Sequence, residues 1–183
     1  MDETRERIRF ILESGREEGF LTPFERALLD LLPRLRRFAR ALALDAADAD
    51  DLCQIAIERA LKAEAQWQVG TRLDSWMYRI MRNSWIDEVR ARKRRGETFV
   101  AEEEGEMVGD TDDRRIEARV ELNKIDRAMA ALPPEQREVI ALILVEGLAY
   151  KEAAETLGLP MGTVTSRLVR GRQALMELLG EAA

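Results

Sequence analysis

Histidine is absent from the 183 residues, and cysteine occurs once. No imidazole is therefore available for acid–base catalysis or metal ligation, and a single thiol allows no internal disulfide. Cys53 falls within a helical apolar pattern and reads as a buried structural thiol. Aromatic residues make up only 5%, and alternating β-branched runs are few, which argues against sheet. The longest apolar run, Val139–Val145, is far too short to cross a bilayer, so no membrane insertion is expected. The opening residues, Met-Asp-Glu-Thr-Arg-Glu-Arg, are charged where a signal peptide needs an apolar core. A reducing cytoplasm is the expected compartment. There is no glycine-rich phosphate loop, and no carboxylate pair can be told apart from helix-capping acids. An enzyme, a metal site and a cofactor are all unexpected.

What is present is helical. Ala, Leu, Glu and Arg dominate, with 46% hydrophobic and 35% charged residues, so the expected fold class is all-α. The net charge is −6, yet the charges are segregated. Arg90, Arg92, Lys93, Arg94 and Arg95 form one basic run; Arg167, Arg170 and Arg172 form another; acids collect between Glu97 and Glu117. Such a chain can bind nucleic acid locally while its free form binds weakly.

The most specific stretch is Gly147–Arg170. Ala153 and Ala154 are small where two helices must approach. Gly158 suits a left-handed position after a first helix, and Pro160 suits the start of a second. Val164, Leu168, Leu175 and Leu179 then recur on one helical face. Thr163, Thr165, Ser166, Arg167 and Arg170 are left on other faces, with the hydroxyls and guanidiniums that base edges and phosphates require. This is a helix-turn-helix.

Upstream, residues 1–14 have the pattern of a short amphipathic helix. Thr22-Pro-Phe-Glu25 is a capping box with proline at its first turn. The helix it opens carries Leu28, Leu31, Leu32, Leu35, Phe38, Ala39 and Leu42, with Pro33 predicting a kink or break. Arg34, Arg36, Arg37 and Arg40 read as its solvated face. Asp48–Asp51 reads as the cap of a second helix running to about Ala65. Thr71–Asp74 reads as the cap of a third, running to about Arg95. Leu73, Trp76, Met77, Ile80 and Met81 form its inner stripe, and Asn83 is placed on the same stripe, as a satisfied amide or a base contact. Trp85 and Trp76 beside cations suit core packing, or stacking with melted nucleic acid.

Four segments follow: an N-terminal extension at 1–21, a helical domain at 22–95, a flexible acidic linker at 96–113 containing Glu102-Glu-Glu-Gly-Glu106, and a four-helix domain at 114–183. In the last, Ile116, Val120, Leu122, Ile125, Met129 and Leu132 mark an apolar side, and a nearly all-apolar helix is expected from Glu135 to Glu146.

With both halves read, the chain resembles a bacterial RNA polymerase sigma factor of the extracytoplasmic-function group. Leu31–Ala39, Asp48–Gln54 and Leu73–Asp87 match sigma region 2 in order; Ala131–Val139, Gly147–Ala154 and Gly162–Arg170 match region 4. The resemblance implies a promoter-specificity subunit without chemistry of its own. Its partners would be core RNA polymerase, through the largest-subunit clamp helices and the flap, promoter DNA, and an anti-sigma factor that keeps it silent. It would be a monomer when free. Asp48, Asp51, Leu52 and Gln54 match the polymerase-docking motif, from which Ile55 departs because relatives commonly carry Glu. Asn83 matches an asparagine near the flipped base of the −10 element, and Arg79, Arg82, Arg90, Arg92 and Arg94 would face promoter phosphates. Thr163, Thr165, Ser166, Arg167 and Arg170 match −35 reading positions, Thr165 departing from a common Lys or Arg. The alternative is a dimeric helix-turn-helix regulator that acts without polymerase.

Two promoter elements lie about two helical turns apart, roughly 70 Å. A flexible linker of this length spans only roughly 25 Å as a coil. Polymerase must therefore hold it stretched, and the free domains can close on each other and hide their DNA faces.

Overall fold

The computed structural model describes residues 21–67, 70–96 and 113–180, with the helical backbone alone for 113–121. Among these residues there is no strand. Helices α1 (Pro23–Ala43), α2 (Ala46–Lys62) and α3 (Leu73–Arg95) form one half, with a 3-10 turn at Glu64–Gln66. Helices α4 (Asp113–Ala131), α5 (Pro134–Ile140), α6 (Tyr150–Leu157) and α7 (Met161–Leu179) form the other, a π turn at Ala141–Val145 following α5. The short helix expected at 1–14 and the acidic block at 102–106 lie outside the described residues.

Helix α1 starts where its sequence requires. The Glu25 backbone N–H donates to Thr22 Oγ1, and the Glu25 carboxylate accepts the Thr22 N–H at 2.7 Å. Leu28, Leu35, Phe38, Ala39 and Leu42 are buried at helical spacing. Pro33 does not break the helix, which runs unbroken to Ala43. The exposed Pro33 is carried by the packing of the buried stripe on either side, which outweighs the loss of one backbone hydrogen bond.

Two caps differ from expectation. Helix α2 begins at Ala46, capped by Asp45, whose carboxylate accepts the Asp48 N–H at 2.9 Å. Asp48 is thus a first-turn acid at the positive end of the helix rather than its cap. Helix α3 has Arg72 as its cap residue with no side-chain cap bond, because the Asp74 carboxylate is engaged by Arg72, Arg34 and the Ser75 N–H instead.

In the second half, Met129 and Leu132 are buried, but Leu122 is 62% and Ile125 42% exposed. The inner side of α4 therefore covers less than its apolar pattern promised; Ile116 and Val120 lie outside the described side chains. The helix expected from Glu135 to Glu146 changes pitch at Ala141, and Glu146 N–H donates to Ala141 O, five residues back. The wide turn leaves Leu144 and Val145 outside and Glu146 buried. Gly147, at φ 73°, ends it in the left-handed conformation that glycine adopts without strain.

Helices α6 and α7 meet as the sequence anticipates. Gly158 takes φ 64° after α6, and α7 follows Pro160. Ala153 and Val164 are fully buried, Leu168 nearly so, while Leu175 and Leu179 are partly covered. Gly171 provides a close approach to α5: a Cβ there would lie 2.7 Å from Ile140 Cδ1 and 3.2 Å from Gln136 Cβ.

The halves close on each other, with α5, the π turn and α6 seated against α1 and α3. That seam carries the site described next.

A candidate nucleic-acid interface closed on itself

The side chains singled out for DNA lie on α3 and α7, and several are occupied within the chain. Arg82 donates to Glu138 on α5, Nε to Oε2 at 2.8 Å. Arg167 on α7 reaches the same carboxylate, Nη1 to Oε1 at 3.4 Å. Arg79 donates to the Glu155 carbonyl on α6 at 2.8 Å. One residue from each of the sets expected to read the −10 and −35 elements, Arg82 and Arg167, is thus brought to a shared carboxylate that sequence reading did not single out.

Asn83 is exposed, not on the inner stripe of α3. It sits about 200° around the helix from buried Met81, at 100° per residue. The stripe continues through Ser84 and Trp85, and Ser84 satisfies itself by donating to the Ile80 carbonyl at 2.8 Å. Arg90 and Arg94 are exposed on the same helix. Arg92 is held: it makes a bidentate pair with Asp48 at 2.5 and 2.6 Å, contacts Glu88 at 2.8 Å, and lies 6.0 Å from the Trp85 ring centre. Hydrogen bonds to both acids push its guanidinium pKa still higher, so it is a fixed cation. Trp85 is buried to 9% exposure and Trp76 packs edge-on against Phe24, so both serve the core.

Within the docking motif, Asp51 and Gln54 are exposed, Gln54 donating to Glu58 at 3.3 Å. Leu52 is 3% exposed and packs inward, so its place in the motif is structural. Ile55 is exposed beside Gln54. On α7, Thr165, Ser166 and Arg170 are exposed and Thr163 and Arg167 half-buried. Thr165 and Ser166 hydroxyls donate back to the Met161 and Thr163 carbonyls, both at 3.0 Å, which fixes their rotors along the helix face.

The second carboxylate of the seam is Glu146. Its side chain is wholly buried and accepts from Arg34 Nε at 3.1 Å, Arg37 Nε at 3.2 Å and the Tyr78 hydroxyl at 2.7 Å. Arg34 also donates to the Glu146 carbonyl and to Asp74. Arg34 is therefore half-buried rather than part of a solvated face, while Arg37 is exposed like Arg36 and Arg40 although it pairs with Glu146. Burial and the bond to Glu146 push the Tyr78 phenol far above its usual range. Burial alone would raise Asp74, but Arg72, the Ser75 N–H and the Arg34 charge hold it below the ordinary carboxylate range. Arg72 reaches across to Glu152 on α6 as well.

Arg137 closes the seam from the other side. It is 7% exposed and donates to the carbonyls of Met129, Ala130 and, from the first half, Leu42. These carbonyls lie in the last turns of their helices, where acceptors are left over or only weakly used, and a guanidinium is a suitable donor to them. Burial lowers its pKa, with no carboxylate beside it to compensate.

Among the described residues no cluster could hold a metal ion, and no helix is long and apolar enough to cross a membrane. The arrangement is one of guanidinium cations engaged by carboxylates and carbonyls across a helical seam.

Residues 28–95 match the family model for sigma-70 region 2, and residues 122–175 that for sigma-70 region 4. The chain is similar to the ECF RNA polymerase sigma factor EcfG of Rhodopseudomonas palustris, 34% identical over 155 residues, which is 83% of this chain and 82% of that one. It is also similar to the ECF sigma factor SigE of Mycolicibacterium smegmatis, 35% identical over 81% of this chain and 58% of that one. Among solved structures, the sigma factor RpoE of Bartonella quintana, crystallised with the anti-sigma factor NepR, superposes with a TM-score of 0.75 at 30% identity, covering 87% of this chain and 98% of that one.

Proposed function

Because this chain belongs to the extracytoplasmic-function sigma factors of bacterial RNA polymerase, a family of non-enzymatic promoter-specificity subunits, we propose a division of labour among its helices. Residues 22–95 form the region 2 domain and 114–183 the region 4 domain, joined by the segment 96–113. Asp48, Asp51 and Gln54 on α2 dock on core polymerase, with Leu52 holding the motif to the core. Helix α3 captures the melted −10 element: Asn83 takes a flipped base, and Arg79, Arg82, Arg90 and Arg94 take phosphates, while Arg92, expected among them from the sequence, is instead committed to Asp48 and Glu88. Helix α7 reads the −35 element with Thr163, Thr165, Ser166, Arg167 and Arg170. Melting is driven by binding, since holding flipped bases offsets an unstacking cost of a few kcal/mol. An anti-sigma factor holds the protein silent in the cytoplasm; the Bartonella relative was crystallised in complex with such a partner.

The observation that carries this reading is the exposure of Asn83, Arg90 and Arg94 on α3 together with Thr165, Ser166 and Arg170 on a helix-turn-helix. A dimeric regulator would have no use for a region 2 half, and the match of residues 28–95 sets that alternative aside. The test is reconstitution. Run-off transcription from a cognate promoter, found by sequencing transcripts after overexpression, is expected only when this protein is added to core polymerase. Asn83→Ala is expected to retain core binding and lose open-complex formation, read by permanganate reactivity of unpaired thymines. Transcription indifferent to the added protein would overturn the reading.

A further inference from the structure

We propose that Glu138 is a shared counterion that locks the two DNA-reading helices shut, an autoinhibitory contact within the chain; this rests on the assignment of Arg82 and Arg167 to DNA phosphates made above. Three observations carry it. First, one carboxylate serves both arginines: Arg82 at 2.8 Å from α3 and Arg167 at 3.4 Å from α7, with the Glu138 side chain only 9% exposed. A guanidinium fork turned onto a carboxylate is not available to a phosphate, because both acceptors use the same planar donors. Second, the charged pairs across the seam run one way. Arg34, Arg37, Arg72 and Arg82 come from the first half, and Glu138, Glu146 and Glu152 from the second. The second half thus presents to α1 and α3 an acidic strip of the kind a nucleic-acid backbone would present. Third, α5 and α7 belong to the same half and are tied by the close approach at Gly171. When the halves separate, Glu138 leaves with Arg167, and Arg82 is the arginine set free.

The lock acts by population. The apparent affinity of a protein for its ligand is reduced by the fraction of molecules in the competent form. While the seam is closed, Arg82 and Arg79 are spent internally, Arg79 on the Glu155 carbonyl. Polymerase, by drawing the halves apart, would release α3 first and leave α7 with its arginine held by an acid on its own half. A free chain is then a poor DNA binder without needing any second protein, and removing the shared acid should make it a better one.

The experiment is a double-mutant cycle on the full chain with Glu138→Gln and Arg82→Gln. Two quantities are read: the radius of gyration from small-angle scattering, and binding of a fluorescent oligothymidylate at low salt by anisotropy, since phosphate contacts need no cognate sequence. Glu138→Gln is expected to expand the chain and to tighten oligothymidylate binding about ten-fold, the weight of one charge-assisted hydrogen-bonded pair. Arg82→Gln is expected to expand the chain equally but to tighten binding less, since only Arg79 is then released, and the double variant to match Arg82→Gln alone. Thermal melts identify a variant that fails to fold; because Arg82 breaks the same pair from the opposite helix, either variant suffices for the scattering arm. Folded variants that stay as compact as the parent, or effects that simply add, would overturn the lock. Run-off transcription by the parent with core polymerase is scored separately, so a failed lock and a failed assignment of function give different results.

Discussion

Cys53 lies 5% exposed between α2 and its neighbours. Burial, and secondarily the charge of Asp50, push its thiol up to about 11, against a smaller opposing pull from Arg36. The nucleophilic thiolate is therefore nearly absent at neutral pH. Native protein is expected to react with a chromogenic disulfide such as Ellman's reagent far more slowly than free cysteine, and denatured protein at the ordinary rate; a prompt native reaction would contradict the burial. The same group has a sign for alkaline stability. A raised folded pKa gives stability that is complete below the unfolded value and is lost as pH rises toward about 11. Single residues also mark where sequence reading reached its limit. Thr22, Gly158 and Pro160 were legible because a cap or a left-handed turn depends only on near neighbours. Glu146 was not, because its partner Arg34 lies 112 positions away and nothing local says that an acid after an apolar run will be buried.

At the scale of elements, the second half depends on how closely α5 and α7 approach. Gly171→Val puts a branched side chain where even a Cβ would stand 3.2 Å from Gln136 Cβ. The expected cost is about 1–3 kcal/mol, as for other overpacked cores, checked by urea denaturation. The helix-turn-helix axis should tilt with it, so DNA reading by α7 would weaken together with stability. The helical stripes in the sequence predicted α1 and α7 well, since each has one apolar face. They misplaced Asn83 because a partly amphipathic helix with buried Tyr78, Ser84 and Trp85 offers no clean stripe to extend. The exposed Leu122 and Ile125 show the same limit from the other side: an apolar pattern records what a helix can cover, not what comes to cover it.

At the scale of the molecule, arginine–carboxylate pairs flank an apolar core that is continuous between the two halves, so conditions that act on charge should loosen the seam before they melt the helices. Across the seam, Glu152 is held below the ordinary carboxylate range by the Ala149 N–H and Arg72; Asp74 is held low as well, but by Arg72, the Ser75 N–H and Arg34 of its own half, where it positions the arginines that cross. A lowered folded pKa gives stability that is complete above the unfolded value of about 4 and is lost as pH falls through the folded one. Acidification below about pH 4 is expected to separate the halves before the helices melt. Scattering that reports expansion while far-ultraviolet circular dichroism stays unchanged is the check; simultaneous loss of both would show that the seam has no independent weakness. The two-domain organisation was readable from composition and motif order. The closed arrangement followed from linker length only in outline, and the particular acids that hold it depended on three-dimensional pairing.

The π turn at Ala141–Val145 gives the seam a further property. One residue more than an α-helical turn is wound into that segment, and it is this surplus that swings Glu146 inward beneath Arg34 and Tyr78. Deleting a single apolar residue there would restore ordinary pitch and turn everything after it by about 100°. The acid would then point elsewhere with its chemistry untouched. Closure is in that sense written in the length of the chain as much as in its charges, and an insertion or deletion of one codon could reset it where no substitution of a neighbouring leucine or valine would.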